Sequence, residues 1–228
     1  MKALIFDLDG TLLDSVYAHV LAFQAAFAEA ERPVGGWQIH RLIGMSGAQL
    51  VQTVARENRQ KISEEEIHQL DRRHGELFHQ FLPHPVPLPG AVELLRLLRR
   101  RKILHGIATS STHADTEKAL AALGLGRETV VVERGDVAHT KPEPDPFVEC
   151  QKRLGVPAQE CYAIGDAVWD LLAARRAGML GIGLLTGGNG AGELFKAGPY
   201  RVFQDVQEFQ EHLDELGLSP SGKHAHPP

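Results

Sequence analysis

The sequence predicts an α/β protein with a doubly wound, mostly parallel sheet that is interrupted after its first strand by a helical insertion. A short apolar run at residues 2–6 opens the chain, and residues 15–81 then show apolar side chains at helical spacing without a strand pattern. From Gly90 onward, helical and strand patterns alternate. Such alternation is typical of a parallel sheet that is covered by helices on both faces.

The first strand is predicted at residues 2–6, because a short apolar run bounded by polar residues is typical of a buried parallel strand. Apolar side chains at helical spacing predict a helix over residues 16–27. The insertion ends at four prolines in alternate positions, residues 83–89, a stiff segment that cannot continue a helix. The expected division is into an α/β core, residues 1–14 and 88–228, and a helical cap, residues 15–87.

Two further helices are predicted within the cap from capping-box spacings, Ser46 with Gln49 and Ser63 with Glu66. In a capping box, the first side chain accepts a hydrogen bond from the backbone three residues on, and the second side chain reaches back. Both spacings therefore indicate helix starts, and we expect no strand in the cap.

Beyond the cap, strands and helices are predicted alternately along the chain. The predicted helices are residues 91–101, 115–123, 146–154, a helix ending at 178, and 205–216. The predicted strands are residues 103–108, 129–132, 161–164, 180–185 and 200–203. The polar, proline-ended tail at residues 219–228 is expected to be frayed.

The composition excludes several classes of protein. Lys and Arg number 24 and Asp and Glu 29, a formal net charge of −5, whereas a nucleic-acid binder normally shows a basic face. Cys150 and Cys161 form no metal-ligand or disulfide pattern, so we expect small buried side chains. The opening apolar run is too short for a signal peptide or a membrane span. We expect a cytoplasmic protein, monomer or homodimer, without nucleic-acid or membrane partners.

Polar side chains follow the predicted strands at one edge of the sheet. Asp7, Thr109, Lys141 and Asp166 each come after a predicted strand, and ligands bind beyond the carboxyl ends of parallel strands. Asp7 and Asp9 are expected to point to the same side of the terminating strand. A hard cation would relieve their repulsion, and Mg2+ typically binds one or two carboxylates together with phosphate oxygens.

The same residue types suit phosphoryl transfer. Asp7 could attack phosphorus and form an aspartyl-phosphate, and Asp9 could then protonate the leaving oxygen and later deprotonate water. Lys141 is a flexible cation suited to phosphoryl oxygens. Asp166 and Asp170 are one helical turn apart and are expected on one face of a helix.

Four motifs in order carry a resemblance to a known family: "DLDGT", the strand-end Thr109, "KPEPD" and "GDAVWD". They resemble the motifs of the haloacid dehalogenase superfamily of phosphohydrolases over nearly the whole chain. The segment "TGGNGAGELFKAGPYRVF" is also similar to members of the phosphoglycolate phosphatase group. The resemblance implies a Rossmann-like core with a helical cap inserted after the first strand, in agreement with the pattern above.

The resemblance also implies roles for single residues. Asp7 would be the nucleophile and Asp9 the acid/base, while Thr109, Ser110 and Lys141 would bind phosphate. Mg2+ would be held by Asp7, the carbonyl oxygen of Asp9 and Asp166, with Asp170 in support. The loop of residues 43–47 would face the substrate, and the positions expected to choose the leaving group are Asp14, Arg41, Ile43, Met45 and Gly47.

Structural alternatives stay open at this point for several of these residues. An Asp pair at a strand end is often a turn or a helix cap. The polar stretch of residues 109–112, which includes Thr109, could equally be a helix start that caps the run from His113. Asp170 in a first helical turn is favoured by the helix dipole alone. His19 is interpreted as a partly exposed surface residue, and Trp169 is expected to pack its own helix.

Three functions remain. The first is a Mg2+-dependent phosphomonoesterase that acts on a small phosphorylated metabolite, phosphoglycolate-like or a sugar phosphate. The second is a sugar phosphomutase of the β-phosphoglucomutase type. Gly47 disfavours it, since that subgroup usually carries arginine there. The "GD" of the fourth motif also disfavours it. The third is a non-catalytic binding module. Asp9 argues against dehalogenation, because true dehalogenases lack that second aspartate.

Overall fold

A computed structural model describes residues 2–218; the tail whose fraying was predicted lies outside them. The strands are β1 (Ala3–Phe6), β2 (Leu104–Ala108), β3 (Val130–Val132), β4 (Cys161–Gly165), β5 (Leu180–Leu184) and β6 (Arg201–Phe203). All pairings are parallel, in the order β3-β2-β1-β4-β5-β6. The chain thus winds outward in both directions from the β1–β4 pair, and the predicted fold class is confirmed.

The helices divide between the insertion and the flanks of the sheet. In the insertion they are α1 (Val16–Glu29), α2 (Gly36–His40), α3 (Gly47–Glu57) and α4 (Glu64–Phe81). After it come α5 (Ala91–Arg101), α6 (His113–Ala122), α7 (Asp145–Leu154), α8 (Val168–Arg176), α9 (Ala191–Lys196) and α10 (Val206–Glu211). None of these described helices is long and apolar enough to cross a membrane.

The sheet is buried on both faces. Alternate residues of β1 point to opposite sides: Leu4 and Phe6 join an apolar cluster with α5, α6 and α10, and Ala3 and Ile5 join another with α7 and α8. A strand covered on both faces is apolar throughout, which is why its sequence lacks alternation. Both cysteines are buried and unpaired, as predicted, and Cys150 packs in the second cluster.

The insertion has an apolar cluster of its own. Phe23 and Phe27 of α1 pack there with Leu50 of α3 and Leu77 of α4. The two segments that connect the insertion to the sheet run side by side: the Asp14 N–H donates to the Val86 carbonyl at 2.8 Å, and the Leu88 N–H to the Leu12 carbonyl at 2.9 Å. The domain limits at residues 14/15 and 87/88 stay a prediction.

The two predicted capping boxes have different outcomes. Ser63 accepts a hydrogen bond from the Glu66 N–H, and the Glu66 carboxylate accepts one from the Ser63 N–H. Ser46 stands at the N-cap of α3 without a side-chain cap bond, and its hydroxyl donates to the Gln49 side chain at 3.3 Å. Both predicted helix starts are confirmed, but only the second capping box forms.

Candidate active site

The strands deliver three polar residues to one edge of the sheet. The Asp7 N–H donates to the Ile164 carbonyl at 2.8 Å and the Thr109 N–H to the Val132 carbonyl at 2.9 Å. Each residue therefore continues the hydrogen-bonding pattern of the parallel ladder by one step beyond β1 and β2. Asp166 follows β4 directly. These are the carboxyl ends of the strands, where ligands bind in open α/β sheets.

A buried lysine connects the carboxylates at this edge. The Lys141 Nζ contacts the Asp7 Oδ1 and lies 2.8 Å from the Asp170 Oδ1. One oxygen each of Asp7, Asp166 and Asp170 lies within 4.8 Å of the others, and all four side chains are buried. Three carboxylates and one ammonium leave a formal charge of −2 when all are ionised. We refer to these residues as the carboxylate cluster.

Burial and crowding shift the pKa values in the carboxylate cluster. Burial, followed by the charge of Asp170, raises the pKa of Asp7 from 3.8 to about 7, although Lys141 opposes the shift. Burial and the charges of Asp170 and Asp7 also raise the pKa of Asp166 well above its usual value. Burial would lower the pKa of Lys141, but Asp170 and Asp7 outweigh it and raise that pKa. Lys141 is therefore a permanent cation, but its single positive charge does not balance three ionised carboxylates.

The Asp166 carboxylate is held in place from several sides. Its Oδ1 accepts a hydrogen bond from the Thr11 hydroxyl at 2.8 Å, and its backbone carbonyl accepts one from the Asn189 amide at 3.1 Å. Its Oδ2 lies against two glycines, where an added Cβ would come within 1.7 Å at Gly187 and 2.4 Å at Gly10. Both positions must lack a side chain for Asp166 to face the cluster.

Asp166 and Asp170 do not share a helix face as the sequence spacing predicted. Asp166 precedes α8, which begins at Val168. Asp170 lies in the first turn, where its Oδ2 accepts a hydrogen bond from the Ala167 N–H at 3.0 Å and its Oδ1 faces Lys141. The turn before the helix brings the two side chains together, and Asp170 combines a capping role with an ion pair.

The Asp9 side chain lies outside the carboxylate cluster. Its Oδ1 accepts a hydrogen bond from the Ser15 hydroxyl at 2.6 Å and its Oδ2 one from the Ser111 hydroxyl at 2.7 Å; the His19 Nε2 is 3.4 Å from Oδ1. The expectation that Asp7 and Asp9 face one cation with their side chains is therefore wrong. The physical reason is that these hydroxyls and His19 hold the Asp9 carboxylate elsewhere.

The surroundings of Asp9 favour its ionised form. Burial by itself would raise its pKa, but the charge of His19 and the hydrogen bonds from His19, Ser15 and Ser111 outweigh burial and lower that pKa. Asp7 and Asp9 thus have opposite shifts, although they are two residues apart. Neighbouring carboxyls whose pKa values are pushed apart are suited to different chemical roles.

Sequence reasoning missed the support of Asp9 by the cap. His19, which the sequence predicts as a partly exposed surface residue, has a side chain that is 16% exposed, and its ring stacks on Phe78 at 3.9 Å between centroids. Its Nδ1 is 3.0 Å from the Nε2 of His74. Burial, followed by the charge of His19, lowers the pKa of His74 well below 6.5. The helical spacing of α1 placed His19 near the cleft, but nothing local indicated His74 or Ser111.

Thr109 and Ser110 lie between the sheet edge and the cap. Thr109 is buried, and its hydroxyl accepts a hydrogen bond from the Ser111 N–H at 3.0 Å. The Ser110 hydroxyl donates to the Gly44 carbonyl in the cap at 3.2 Å. The N-cap of α6 is Thr112, so the helix start expected in the polar stretch 109–112 is confirmed, with Thr112 and not Thr109 at the N-cap.

A cavity of about 550 Å3 lies between cap and core and reaches Asp7 and Asp9. Of the positions expected to choose the leaving group, Ile43, Met45 and Gly47 line it. Asp14 and Arg41 are not in the lining. Asp14 is exposed where the chain enters the cap, and Arg41 directs its guanidinium over the Trp37 ring.

The cap is joined to the core by side-chain hydrogen bonds around this cavity. The Trp169 indole N–H donates to the Arg41 carbonyl at 2.9 Å, and the ring packs against the apolar cluster of the cap. Trp169 therefore contacts the cap in addition to its own helix. The Thr140 hydroxyl donates to the Gln49 side chain at 2.8 Å. These contacts hold the cap over the carboxylate cluster.

The fold and this site define the family. The family model for haloacid dehalogenase-like hydrolases matches residues 1–178, and the chain belongs to that family, as the four motifs predicted. It is thus an enzyme of a hydrolase family. A solved hydrolase from Pseudomonas syringae is 42% identical, with a TM-score of 0.91 over 94% of this chain and 99% of that one.

Curated relatives carry three different names. The probable phosphatase IndB of Dickeya dadantii is 33% identical over 96% of this chain and 98% of its own. The β-phosphoglucomutase of Bacillus subtilis is 30% identical over 81% of this chain and 83% of its own length. A phosphoglycolate phosphatase of Rhodospirillum rubrum is 28% identical over 96% of this chain and 97% of its own length. The resemblance to this group is therefore confirmed.

Proposed function

We propose that the protein is a Mg2+-dependent phosphomonoesterase that hydrolyses a small phosphorylated metabolite through an aspartyl-phosphate on Asp7. The observation that carries the proposal is the carboxylate cluster itself. Asp7 is buried beside the Lys141 ammonium, with two further carboxylates, and lines a 550 Å3 cavity. Phosphoryl transfer depends mainly on positioning and on stabilising charge, and this arrangement can provide both.

The donor set fits Mg2+. The ion prefers oxygen ligands and typically takes one or two carboxylates together with substrate phosphate oxygens. The three aspartates of the carboxylate cluster offer oxygen ligands, and Lys141, as an ammonium, has no lone pair to offer a metal. The cluster's formal charge of −2 matches a divalent cation. We assign Asp7, Asp166 and the Asp9 carbonyl oxygen as ligands, with Asp170 in support. Bound there, Mg2+ supplies positive charge that favours ionised carboxylates and neutralises phosphoryl oxygens.

Asp7 and Asp9 divide the chemistry. In the first half-reaction an Asp7 oxygen attacks phosphorus, the ester P–O bond breaks, and the leaving oxygen takes a proton from Asp9. The His19 Nε2 lies 3.4 Å from the Asp9 Oδ1 and helps to orient this carboxylate. In the second half, Asp9 takes a proton from water as the water oxygen attacks phosphorus, the bond between phosphorus and Asp7 breaks, and inorganic phosphate leaves. The proton that Asp9 gains in this step is the one that it donates in the next turnover.

Lys141, Thr109 and Ser110 are assigned to phosphate binding. The Lys141 ammonium is fully buried and permanently charged, so it can stabilise negative charge on the phosphoryl oxygens without competition from water. The Thr109 hydroxyl accepts from the Ser111 N–H, which leaves its own proton free to donate. Ser110 lies where the sheet edge meets the cap. Asp170 orients Lys141.

The alternative is a sugar phosphomutase, which the 30% identity to the β-phosphoglucomutase supports. In that reaction Asp7 would pass its phosphoryl group to a second sugar hydroxyl instead of water. We favour hydrolysis because Gly47 has no side chain that could bind a sugar phosphate while it is rephosphorylated. The space that a side chain at residue 47 would fill is occupied by the Asp71 Oδ1. The products distinguish the two: inorganic phosphate for a phosphatase, and an isomerised sugar phosphate for a mutase.

The test is phosphate release from a panel of phosphate esters with Mg2+. We expect release from several esters, none in excess EDTA, inhibition by excess Ca2+, and loss of turnover in Asp7→Asn with the fold unchanged by circular dichroism. Full activity in EDTA, or near-normal activity of Asp7→Asn, would contradict the proposal. Ligand binding without any turnover would favour the non-catalytic alternative.

A further inference from the structure

The cap side of the cavity contains an ion pair that the proposed chemistry does not use. The Arg134 Nη2 donates to the Asp71 Oδ2 at 2.6 Å, and both side chains line the cavity. Arg134 belongs to the core, in the turn after β3, and its N–H donates to the Ser111 carbonyl at 3.2 Å. Asp71 lies on α4 of the cap. The pair therefore spans the two sides of the cavity.

This pair has unused hydrogen-bonding capacity. A guanidinium has five N–H donors, and the structure gives Arg134 one side-chain partner among the described residues. Its side chain is 35% exposed and that of Asp71 12%. The carboxylate has free lone pairs, since each oxygen accepts more than one hydrogen bond. A ligand in the cavity can therefore bind to both members without separating them.

Gly47 makes room for this arrangement. A Cβ added there would come within 1.9 Å of the Asp71 Oδ1, so any side chain at this position would push the carboxylate away. Gly47 is the first residue of α3, next to the loop expected to face the substrate. The absence of a side chain at residue 47 thus lets Asp71 meet Arg134 inside the cavity.

The charges of the cavity wall favour an uncharged partner. Besides the Asp71–Arg134 pair, the wall includes Glu76, which pairs with Arg73 at 2.6 Å, Asp115, which pairs with His79 at 2.5 Å, and the exposed cation Arg72. A second anionic group on a substrate that binds the remaining N–H groups of Arg134 would lie beside the Asp71 carboxylate and be repelled by it. A hydroxyl, by contrast, can donate to the carboxylate and accept from the guanidinium at once.

We propose that Asp71 and Arg134 form the leaving-group subsite and that they select an uncharged, hydroxyl-bearing leaving group, such as a sugar or polyol, over a carboxylate. The size of the site agrees: 550 Å3 lies within the range of about 300–1,000 Å3 that buries drug-sized ligands, far above the need of a two-carbon acid. The inference rests on the proposed phosphatase function and names its specificity determinants.

The test compares kcat/KM for phosphate release across leaving groups. The substrates are hexose, pentose and polyol monophosphates, 2-phosphoglycolate, and acetyl phosphate, whose leaving group is too short to span the cavity. We expect the wild type to prefer a sugar or polyol ester to 2-phosphoglycolate. Arg134→Gln should lower kcat/KM for that ester by about tenfold or more, the usual cost of a lost charged hydrogen bond, chiefly through KM, and leave acetyl phosphate nearly unchanged.

Two further variants separate recognition from folding. Asp71→Asn keeps an acceptor oxygen but removes the negative charge, and it should show the same selective loss. It replaces Arg134→Gln as the test variant if Arg134→Gln proves unstable. The matched control is Arg101→Gln: Arg101 is 29% exposed and makes one contact with Asp214 at 3.1 Å, outside the cavity lining. We expect the control to match the wild type on every ester.

The outcomes distinguish this inference from the function on which it rests. If neither acetyl phosphate, an acyl phosphate, nor any of the esters releases phosphate, both the function and the subsite are overturned. If the wild type hydrolyses acetyl phosphate but Arg134→Gln and Asp71→Asn lose kcat/KM equally on all substrates, only the subsite is overturned. A preference for 2-phosphoglycolate would also overturn the subsite, especially if Arg72→Gln abolished it, because Arg72 is the exposed cation in the same lining.

Discussion

Asp166 shows how a single side chain can depend on the absence of others. Its Oδ2 fits against Gly10 and Gly187, and Thr11 and Asn189 fix its Oδ1 and its backbone carbonyl. Gly10 also has a φ of +78°, which favours glycine for a second reason. Gly187 has no such constraint, so its requirement for glycine comes from the Asp166 contact alone.

Gly187→Ala should therefore weaken Mg2+ binding. The new Cβ would lie 1.7 Å from the Asp166 Oδ2, so the carboxylate must turn away from the cluster. Changes around a metal ligand typically cost about 10–100-fold in affinity, and we expect a loss of that size by calorimetric Mg2+ titration. Gly192→Ala is the matched control, since a Cβ there meets nothing within 4 Å. Equal Mg2+ affinities in the two variants would contradict the assignment of Asp166.

The residues of the site divide by how far the sequence could predict them. Asp7 and Asp166 follow strands directly, so the strand pattern alone brought them to one edge. Arg134 and Asp71 are 63 residues apart and meet only because the cap folds back over the core. His74 supports Asp9 across a similar distance. No local pattern encodes such contacts, because they depend on how two separately packed units lie together.

At the level of elements, the cap helices α3 and α4 start with the same type of sequence signal but different bonds. Ser63 and Glu66 exchange both capping bonds at α4. At α3 the Ser46 hydroxyl donates to Gln49, whose side-chain oxygen also accepts from Thr140 in the core. The Gln49 side chain is used in the cap–core contact, and the box does not form.

This difference predicts unequal costs for two like substitutions. Ser63→Ala removes a formed cap, which typically costs about 0.5–2 kcal/mol of stability. Ser46→Ala removes no cap bond, only the long 3.3 Å hydrogen bond to Gln49, and should cost less than Ser63→Ala. Urea unfolding of both variants measures the free energies. A larger loss of stability in Ser46→Ala than in Ser63→Ala would contradict the claim that only α4 has a side-chain cap.

All six predicted strands are present, but two short helices were not predicted. Buried parallel strands are apolar runs that local sequence reveals. Helix α2 begins at Gly36 and α9 contains Gly192, and glycine disfavours helix by about 1 kcal/mol. Both helices form through tertiary packing, for example the burial of Ile39 and Leu194. The last helix ends at residue 211 instead of 216.

In the whole molecule, the carboxylate cluster opposes folding unless positive charge is bound. Burial, followed by Asp170, raises the pKa of Asp7 from 3.8 to about 7, and the pKa of Asp166 shifts the same way. Between pH 3.8 and about 7, Asp7 and Asp166 therefore hold more protons in the folded chain than in the unfolded chain. The contribution of Asp7 and Asp166 to the free energy of unfolding of the metal-free protein therefore falls as pH rises from about 4 to about 7.

Comparison with Asp7→Asn isolates this effect. Burial lowers the pKa values of His74 and His105, which gives the opposite pH dependence below about 6.5, but that term is common to both proteins. In EDTA, the stability difference between wild type and Asp7→Asn should fall from pH 4 to 7 and level off above. Mg2+ should stabilise the wild type at pH 8. A difference independent of pH would contradict the raised pKa of Asp7.

The central claim, that Asp7 itself becomes phosphorylated, is tested most directly with Asp9→Asn. This variant keeps the nucleophile but lacks the base that activates water, so the intermediate should accumulate. With Mg2+ and p-nitrophenyl phosphate, whose leaving group needs no acid, we predict one equivalent of p-nitrophenol per enzyme. Mass spectrometry after an acid quench should then locate a single phosphoryl group on Asp7. A phosphoryl group on another residue, or steady phosphate release with Asp7 unmodified, would contradict the account.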